Sequence, residues 1–361
     1  MKPLPPLNPS LATPIDPKEI PWEEPLAFVW YDCKHLTLAG KGWPDESRRY
    51  ERFPTRAEGK IPEKPWRQSL AGAGLSLRFS SDATFFFLRS VDYDGKPNIN
   101  QISLNSPSLY VRHRGRWQWL GLAKMAGEPE SVIHRLLNGP MPKALREYIL
   151  YLPLGRGVTQ IELGIPAGAQ LIPATPRTEK PVVFYGTSIN HGGNASRPGT
   201  NHIALLERHF DYPIVNLGLS GSACMEPEVV DLVNELDACL FVIDCLPNMV
   251  APQVRERFAP GIRKLRTSHP HVPIVIVDNV IYQDGFLVTD RYERYIASNA
   301  AQQEEFARLV ADGIKGLHYI HAHELFTDAD EATVDGTHPN DHGFKLMADT
   351  FIKVLTPLMP R

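Results

Sequence analysis

The hydrophobic pattern changes character partway along the chain. Up to about residue 165, apolar positions come in short runs at 27–31, 36–39, 75–79, 84–88, 109–112, 117–120, 149–152 and 160–163. Turn residues separate them, as at Arg114-Gly115-Arg116 and Asp92-Tyr93-Asp94-Gly95. Short β-type runs punctuated by turns predict an antiparallel sandwich. From Pro181 onward the runs at 182–185, 214–217, 240–244, 274–277 and 317–320 are mostly apolar without period-two alternation, and stretches of helical period such as 228–236 and 302–314 lie between them. Strands buried on both faces and joined by helices predict a parallel sheet in a flavodoxin-like three-layer α/β/α domain. The chain is therefore expected to be α/β, with an extended proline-rich arm over 1–20, a β-sandwich accessory domain over 21–175 and the three-layer domain over 176–361. The proline-rich stretch 173–181 reads as the linker.

Composition narrows the partners. A chain that is 43% hydrophobic and 22% charged is neither disordered nor fibrous, and a net charge of −3 without a basic run excludes a nucleic-acid footprint. No segment reaches the ~18 apolar residues of a membrane helix, so no membrane partner is expected. The opening Met1-Lys2-Pro3-Leu4-Pro5-Pro6 lacks an apolar leader core. As written the chain is expected in the cytoplasm; removal of a leader would make it periplasmic or secreted. Cys33, Cys224, Cys239 and Cys245 contain no Cys-x-x-Cys pair and read as free thiols, three of them on or beside buried strands. The six tryptophans all fall in the first third, at 22, 30, 43, 66, 117 and 119.

In open parallel sheets chemistry collects where strands end. Ser188, in Gly186-Thr187-Ser188, follows the first parallel run and opens a loop, where a nucleophile can be presented. Gly221 follows the second run and Asn248 the third, and a glycine N–H and an asparagine amide are suitable donors for a developing oxyanion, alongside the Ser188 N–H. Asp335-Gly336-Thr337-His338 follows the fifth: an aspartate three residues before a histidine can orient the imidazole as a base. Each element alone also has an ordinary reading as a turn or helix cap.

Taken in order, Ser188, Gly221, Asn248 and Asp335/His338 resemble the four blocks of the SGNH (GDSL-like) hydrolase superfamily over residues 181–355. Two positions depart from the usual pattern: Thr187 stands where an aspartate precedes the serine, and Asn248 lies in Leu246-Pro247-Asn248-Met249 rather than Gly-x-Asn-Asp. Trp30-Tyr31-Asp32 and Gly40-Lys41-Gly42-Trp43 resemble the opening of the β-domain with a Gly-x-Asp-Leu-Tyr signature that precedes the catalytic domain in a bacterial esterase branch. The signature itself is imperfect, because Ser108 replaces the aspartate before Leu109-Tyr110.

The resemblance implies a serine esterase that removes short acyl groups, acetyl above all, from a small-molecule or carbohydrate substrate, with no cofactor and no metal. Ser188 would attack, His338 would take its proton, and Asp335 would hold the imidazole. A lipase or thioesterase, or a carbohydrate-binding protein without turnover, are the alternatives. His191, near the nucleophile, is expected to line the pocket, and Arg197 to contact substrate or anchor its loop. Trp43 either stacks on a sugar or packs in the sandwich core or between domains. His318, His321 and His323 resemble a metal cluster, but a strand at 317–320 would turn their side chains to different faces. His342, a rival base, stands at a helix entrance. Oligomeric state leaves no mark on the sequence.

Overall fold

Two antiparallel sheets are built from the first half of the chain and one parallel sheet from the second. The computed structural model describes residues 3–16, 27–45, 47–92, 106–123, 133–155, 157–326 and 331–360. In the first sheet β1 (Thr13–Pro14), β2 (Phe28–Asp32), β10 (Val158–Pro166), β5 (Phe87–Asp92) and β8 (His134–Arg135) lie in that order. In the second, β11 (Leu171–Pro173) and β3 (Thr37–Ala39) share one edge of β4 (Ser76–Ser81), followed by β9 (Arg146–Tyr151), β6 (Ser108–His113) and β7 (Arg116–Leu122). The sheets enclose one core, in which Trp30, Phe87, Ile161 and Leu163 of the first meet Leu77, Phe79, Leu109 and Leu150 of the second. Alternation works on β4, where Leu77 and Phe79 are buried and Arg78 and Ser80 are not.

Differences from the expected strands have local causes. The run at 84–88 becomes a strand only from Phe87, because Phe85, Phe86 and Phe87 are all buried and period two is lost there. The turn through Tyr93-Asp94-Gly95, Trp22 and the end of the arm lie outside the described residues. The arm's described part runs along the sandwich: Leu7 N donates to Leu171 O at 2.8 Å, and β1 pairs with β2. The proline-rich stretch begins with Pro173 still paired to Phe79.

The parallel sheet has the order β13 (Ile214–Gly218), β12 (Val182–Gly186), β14 (Leu240–Asp244), β15 (Ile274–Val277) and β16 (Leu317–Ile320). Both faces are covered. Val183, Val215, Phe241 and Ile274 pack against α4 (Pro227–Val233), α5 (Ala251–Ser268) and α6 (Thr289–Ala311). Phe184, Leu240, Val242 and Val275 pack against α3 (His202–Phe210) and α8 (Asp341–Leu355). Successive residues of one strand serve opposite layers, which is why these runs carry no polar alternation. Helix α6 begins 13 residues before the periodic segment at 302, because its first turns carry charged, exposed residues such as Glu293 and Arg294.

The halves are joined at two places. The outer face of the second sandwich sheet packs Tyr110, Ile149 and Tyr151 on Ala204 of α3. Tyr151 donates to Glu207 at 2.7 Å, and the Arg208 guanidinium lies 4.2 Å from the centre of the Tyr110 ring. Asp211, which ends α3, accepts Arg78, Arg112 and Arg177. The second junction is the stretch from Trp43 to Trp66: Trp43, Phe53, Ala57, Ile61 and Trp66 enter the core beneath β13 and α4 rather than the sandwich.

Arg52 binds this stretch to the sheet. The side chain is 1% exposed, and its guanidinium donates to the Gly218 oxygen at 2.5 Å, Ala71 at 3.0 Å, Asn216 at 3.4 Å and also Gln68. No carboxylate pairs with it among the described residues, and burial draws its pKa down to about 9. Arg52→Met would strand these carbonyl oxygens and is expected to cost roughly 2–4 kcal/mol, seen as a lower urea midpoint with an unchanged slope.

Candidate active site

Strand β12 ends at Gly186, and Thr187 caps the short helix α2 (Ser188–His191) by accepting from Ile189 N at 3.4 Å. Ser188 thus occupies the first helical position, where an N–H has no acceptor within the helix. The helix can sit this close to the sheet only because two strand ends are glycine. A Cβ on Gly218 would fall 2.1 Å from His191 N, and one on Gly186 would fall 2.3 Å from Asn190 Nδ2. Asn216 completes the seat, donating to Asn190 O at 2.7 Å and accepting from Gly218 N at 2.8 Å.

The loop after β16 brings His338 to Ser188. Ser188 Oγ and His338 Nε2 are 2.7 Å apart, and His338 Nδ1 lies 2.7 Å from Asp335 Oδ2. The other Asp335 oxygen accepts from His338 N at 2.8 Å and Thr337 N at 3.0 Å. Burial opposes the Asp335 charge, but these hydrogen bonds outweigh it and hold the carboxyl below the usual aspartate range. The loop is braced from outside: Gln283 N donates to Gly336 O at 2.9 Å, and Arg291, paired with Asp284, donates to Thr337 Oγ1 at 2.7 Å. Asp341 ties it to the nucleophile's loop by accepting from Ser196 N and Thr200 Oγ1, each at 2.9 Å. His342 lies in the first turn of α8, whose cap is Asn340.

Gly221 and Asn248 lie on the loops after the strands that flank β12. Gly221, Ala223 and Met225 all have left-handed backbones, with φ of 64°, 60° and 53°. Two non-glycine residues in that region mark a loop held against local preference. Asn248 ends a 3₁₀ turn and gives one amide hydrogen to Ser222 O, leaving its second N–H for another acceptor. The outcome is a serine hydrogen-bonded to a histidine and the histidine to an aspartate, with the Gly221 and Asn248 loops at neighbouring strand ends. Such a set can abstract a hydroxyl proton and receive negative charge on an attacked carbonyl oxygen.

Two expected substrate contacts are corrected. His191 does not line an open pocket: it is 4% exposed, with Nδ1 3.1 Å from Gly218 O and Nε2 facing Leu154 O. Burial, then the Arg52 charge, lowers its pKa to about 3, so the ring is neutral and donates to only one of these carbonyls. Trp43 is 7% exposed, its indole N–H donates to Glu235 at 2.9 Å, and its ring meets Phe53 edge-on, so no face is left for a sugar. Arg197 lies over Trp119, 5.0 Å from the ring centre, and Trp119 is 45% exposed. His321 and His323 stack on each other at 5.6 Å, and His321 faces Asp278 at 3.6 Å. The cysteines are free, Cys33 and Cys245 buried and the other two partly so.

Arg52 and Asp244 escaped the sequence reading. Nothing in Arg48-Arg49-Tyr50-Glu51-Arg52 singles out its last member. Asp244 ends an apolar run, which is a signal, since a carboxylate there enters a buried layer.

Fold and side chains together define an ester hydrolase of the SGNH kind. Residues 179–356 match the model of the GDSL-like lipase/acylhydrolase family, and residues 28–171 match that of the N-terminus of SGNH hydrolase-type esterases. The chain belongs to this family and is a carboxylic ester hydrolase. Among solved structures it is similar to a protein from Bacteroides ovatus described as a GDSL-like lipase, with 29% identity over 92% of this chain and 98% of that one and a TM-score of 0.85. The salicylyl-acyltransferase SsfX3 of a tetracycline biosynthetic pathway shares 17% identity over 96% and 98%, with a TM-score of 0.70. An acetyl xylan esterase from Butyrivibrio proteoclasticus shares 9% over 91% and 98%, with a TM-score of 0.55. The last two are likenesses of fold. No curated protein matches the chain.

Asp244 supplies a test of the layer beneath the nucleophile. It is 2% exposed, Oδ2 has no hydrogen-bond partner among the described residues, and burial pushes its pKa up to about 7. A raised carboxyl pKa costs stability once pH passes the unfolded value, and the cost grows until the folded value is reached. Asp244→Asn is therefore expected to raise the melting temperature more above pH ~7 than near pH ~4, and a gap independent of pH would contradict the buried neutral acid.

Proposed function

We propose that the chain hydrolyses short-chain acyl esters, acetyl most readily, on a carbohydrate, through an acyl-enzyme on Ser188. The observation that carries this reading is the unbroken pair of 2.7 Å contacts from Ser188 Oγ through His338 to Asp335. His338 Nε2 takes the hydroxyl proton as Oγ attacks the ester carbonyl, while Asp335 fixes the tautomer and stabilises the imidazolium. The Ser188 and Gly221 N–H groups and the Asn248 amide receive the oxyanion. His338 then protonates the departing alcohol oxygen. Water, deprotonated by the same nitrogen, attacks the acyl-serine and releases the carboxylic acid and free Ser188.

The acetyl and carbohydrate parts draw support from two neighbours of similar fold, the acetyl xylan esterase and a family two carbohydrate esterase from Clostridium thermocellum in complex with cellohexaose. The site residues themselves support only the reaction class. Ser188→Ala is expected to abolish hydrolysis of p-nitrophenyl acetate, and Asn248→Ala to lower kcat by about 10²–10³. Equal rates for Ser188→Ala and the wild type would refute the nucleophile. Acetate release from acetylated xylan, mannan, pectin and simple sugar acetates tests the carbohydrate; faster cleavage of octanoate or of an acyl-CoA would favour a lipase or thioesterase instead.

A further inference from the structure

Helix α1 (Glu63–Ser69), from the first half of the chain, reaches the loop that carries Gly221. A Cβ placed on Gly221 would lie 2.8 Å from Lys64 Nζ and 3.1 Å from Lys64 Cε, so the ammonium rests directly on that backbone. Lys64 is exposed and has neither a hydrogen bond nor an ion pair among the described residues, whereas its helix neighbours Glu63 and Arg67 face each other at 3.6 Å. An unpaired ammonium beside an oxyanion loop attracts negative charge from whatever enters the site.

The position is built rather than incidental. Pro65 and Trp66 of the same helix are buried, and Arg52 joins the Gln68 carbonyl near its end to the Gly218 carbonyl three residues before Gly221. Two guanidinium groups attend the same pair of loops: Arg294 donates to Pro247 O at 3.3 Å and Arg257 to Cys224 O at 3.5 Å. Arg257 has Glu256 at 3.7 Å, while Arg294 has no carboxylate partner among the described residues. The nearby Glu226 already accepts from Tyr185 Oη at 3.0 Å and Cys224 N at 2.8 Å. All three cations act on the Cys224 thiol, although burial and then Glu226 dominate there and raise it.

We propose that Lys64, backed by Arg294, forms an anion subsite on the oxyanion side of the active site, and that the preferred substrates are esters carrying a carboxylate close to the scissile acyl group. The proposal rests on the esterase reading of Ser188. A neutral acetyl ester has nothing to offer an exposed ammonium, whose effect on a transient oxyanion is weakened by solvent screening. A fixed carboxylate on the substrate can reach out to it and pair.

The test compares 3-acetoxybenzoate with 3-acetoxybenzamide, matched in shape and differing in charge, as a ratio of kcat/KM within each protein. The wild type is expected to favour the anion by about fivefold, mainly through KM, with the preference shrinking as salt is raised. Lys64→Met is expected to bring the ratio near unity, Lys64→Glu to invert it, and Lys64→Arg to retain it. A ratio unchanged in Lys64→Met and Lys64→Glu would overturn the subsite while leaving the esterase intact. Absence of hydrolysis of both esters by the wild type, or full activity in Ser188→Ala, would instead overturn the esterase reading beneath it.

Discussion

A single buried guanidinium does what no element of the parallel sheet does for itself. The sheet can bury its apolar residues and align its strands, but the carbonyls at the end of β13 point away from the ladder and need donors. Arg52 supplies them to Asn216 and Gly218 while also holding Gln68 and Ala71 of the preceding stretch. Burying a charge without a counter-ion is costly, and it is tolerated here because carbonyl dipoles surround it. The loop bearing Gly221 therefore begins from a strand end whose position is set by the first half of the chain.

Beside the Arg52 charge, burial disfavours the charged forms of the neighbouring His191 and Asp244. His191 shares the Gly218 carbonyl with Arg52 and is kept neutral by burial and by that neighbouring charge. Asp244, at the end of the strand on the other side of β12, is pushed up by burial. At the surface layer of the site the balance is reversed, and Asp335 is held as an anion by its hydrogen bonds. The contrast gives the histidine a charged partner while the floor beneath the serine remains a low-dielectric support.

The parts of this arrangement that were legible in the amino-acid sequence are those governed by local periodicity or local spacing. The five parallel runs could be read because each is mostly apolar and lies between helix-period stretches, and Asp335 and His338 could be paired because three residues separate them. What escaped depends on contacts distant in sequence. Trp43 sits in a polar stretch that looks like a loop, yet its partner Glu235 is 192 residues away. His191 is near Ser188 along the chain, but the helix turns its ring inward toward Leu154 and Gly218. At Phe85 to Phe87 the strand was legible but its start was not: three buried aromatics in a row carry no period to mark that it begins at Phe87.

The stretches that match the two family models look like interchangeable cassettes, divided by a few prolines. The tyrosines on the outer sandwich face and the arginines converging on Asp211 give that division another meaning. Modules recombine readily where few contacts cross their boundary. Here a graft of either half onto a foreign partner would inherit an uncovered aromatic face on one side and a strand end lacking its donors on the other. The two halves form one unit of inheritance, and their lineage is expected to change by paired substitution across the junction rather than by exchange of parts.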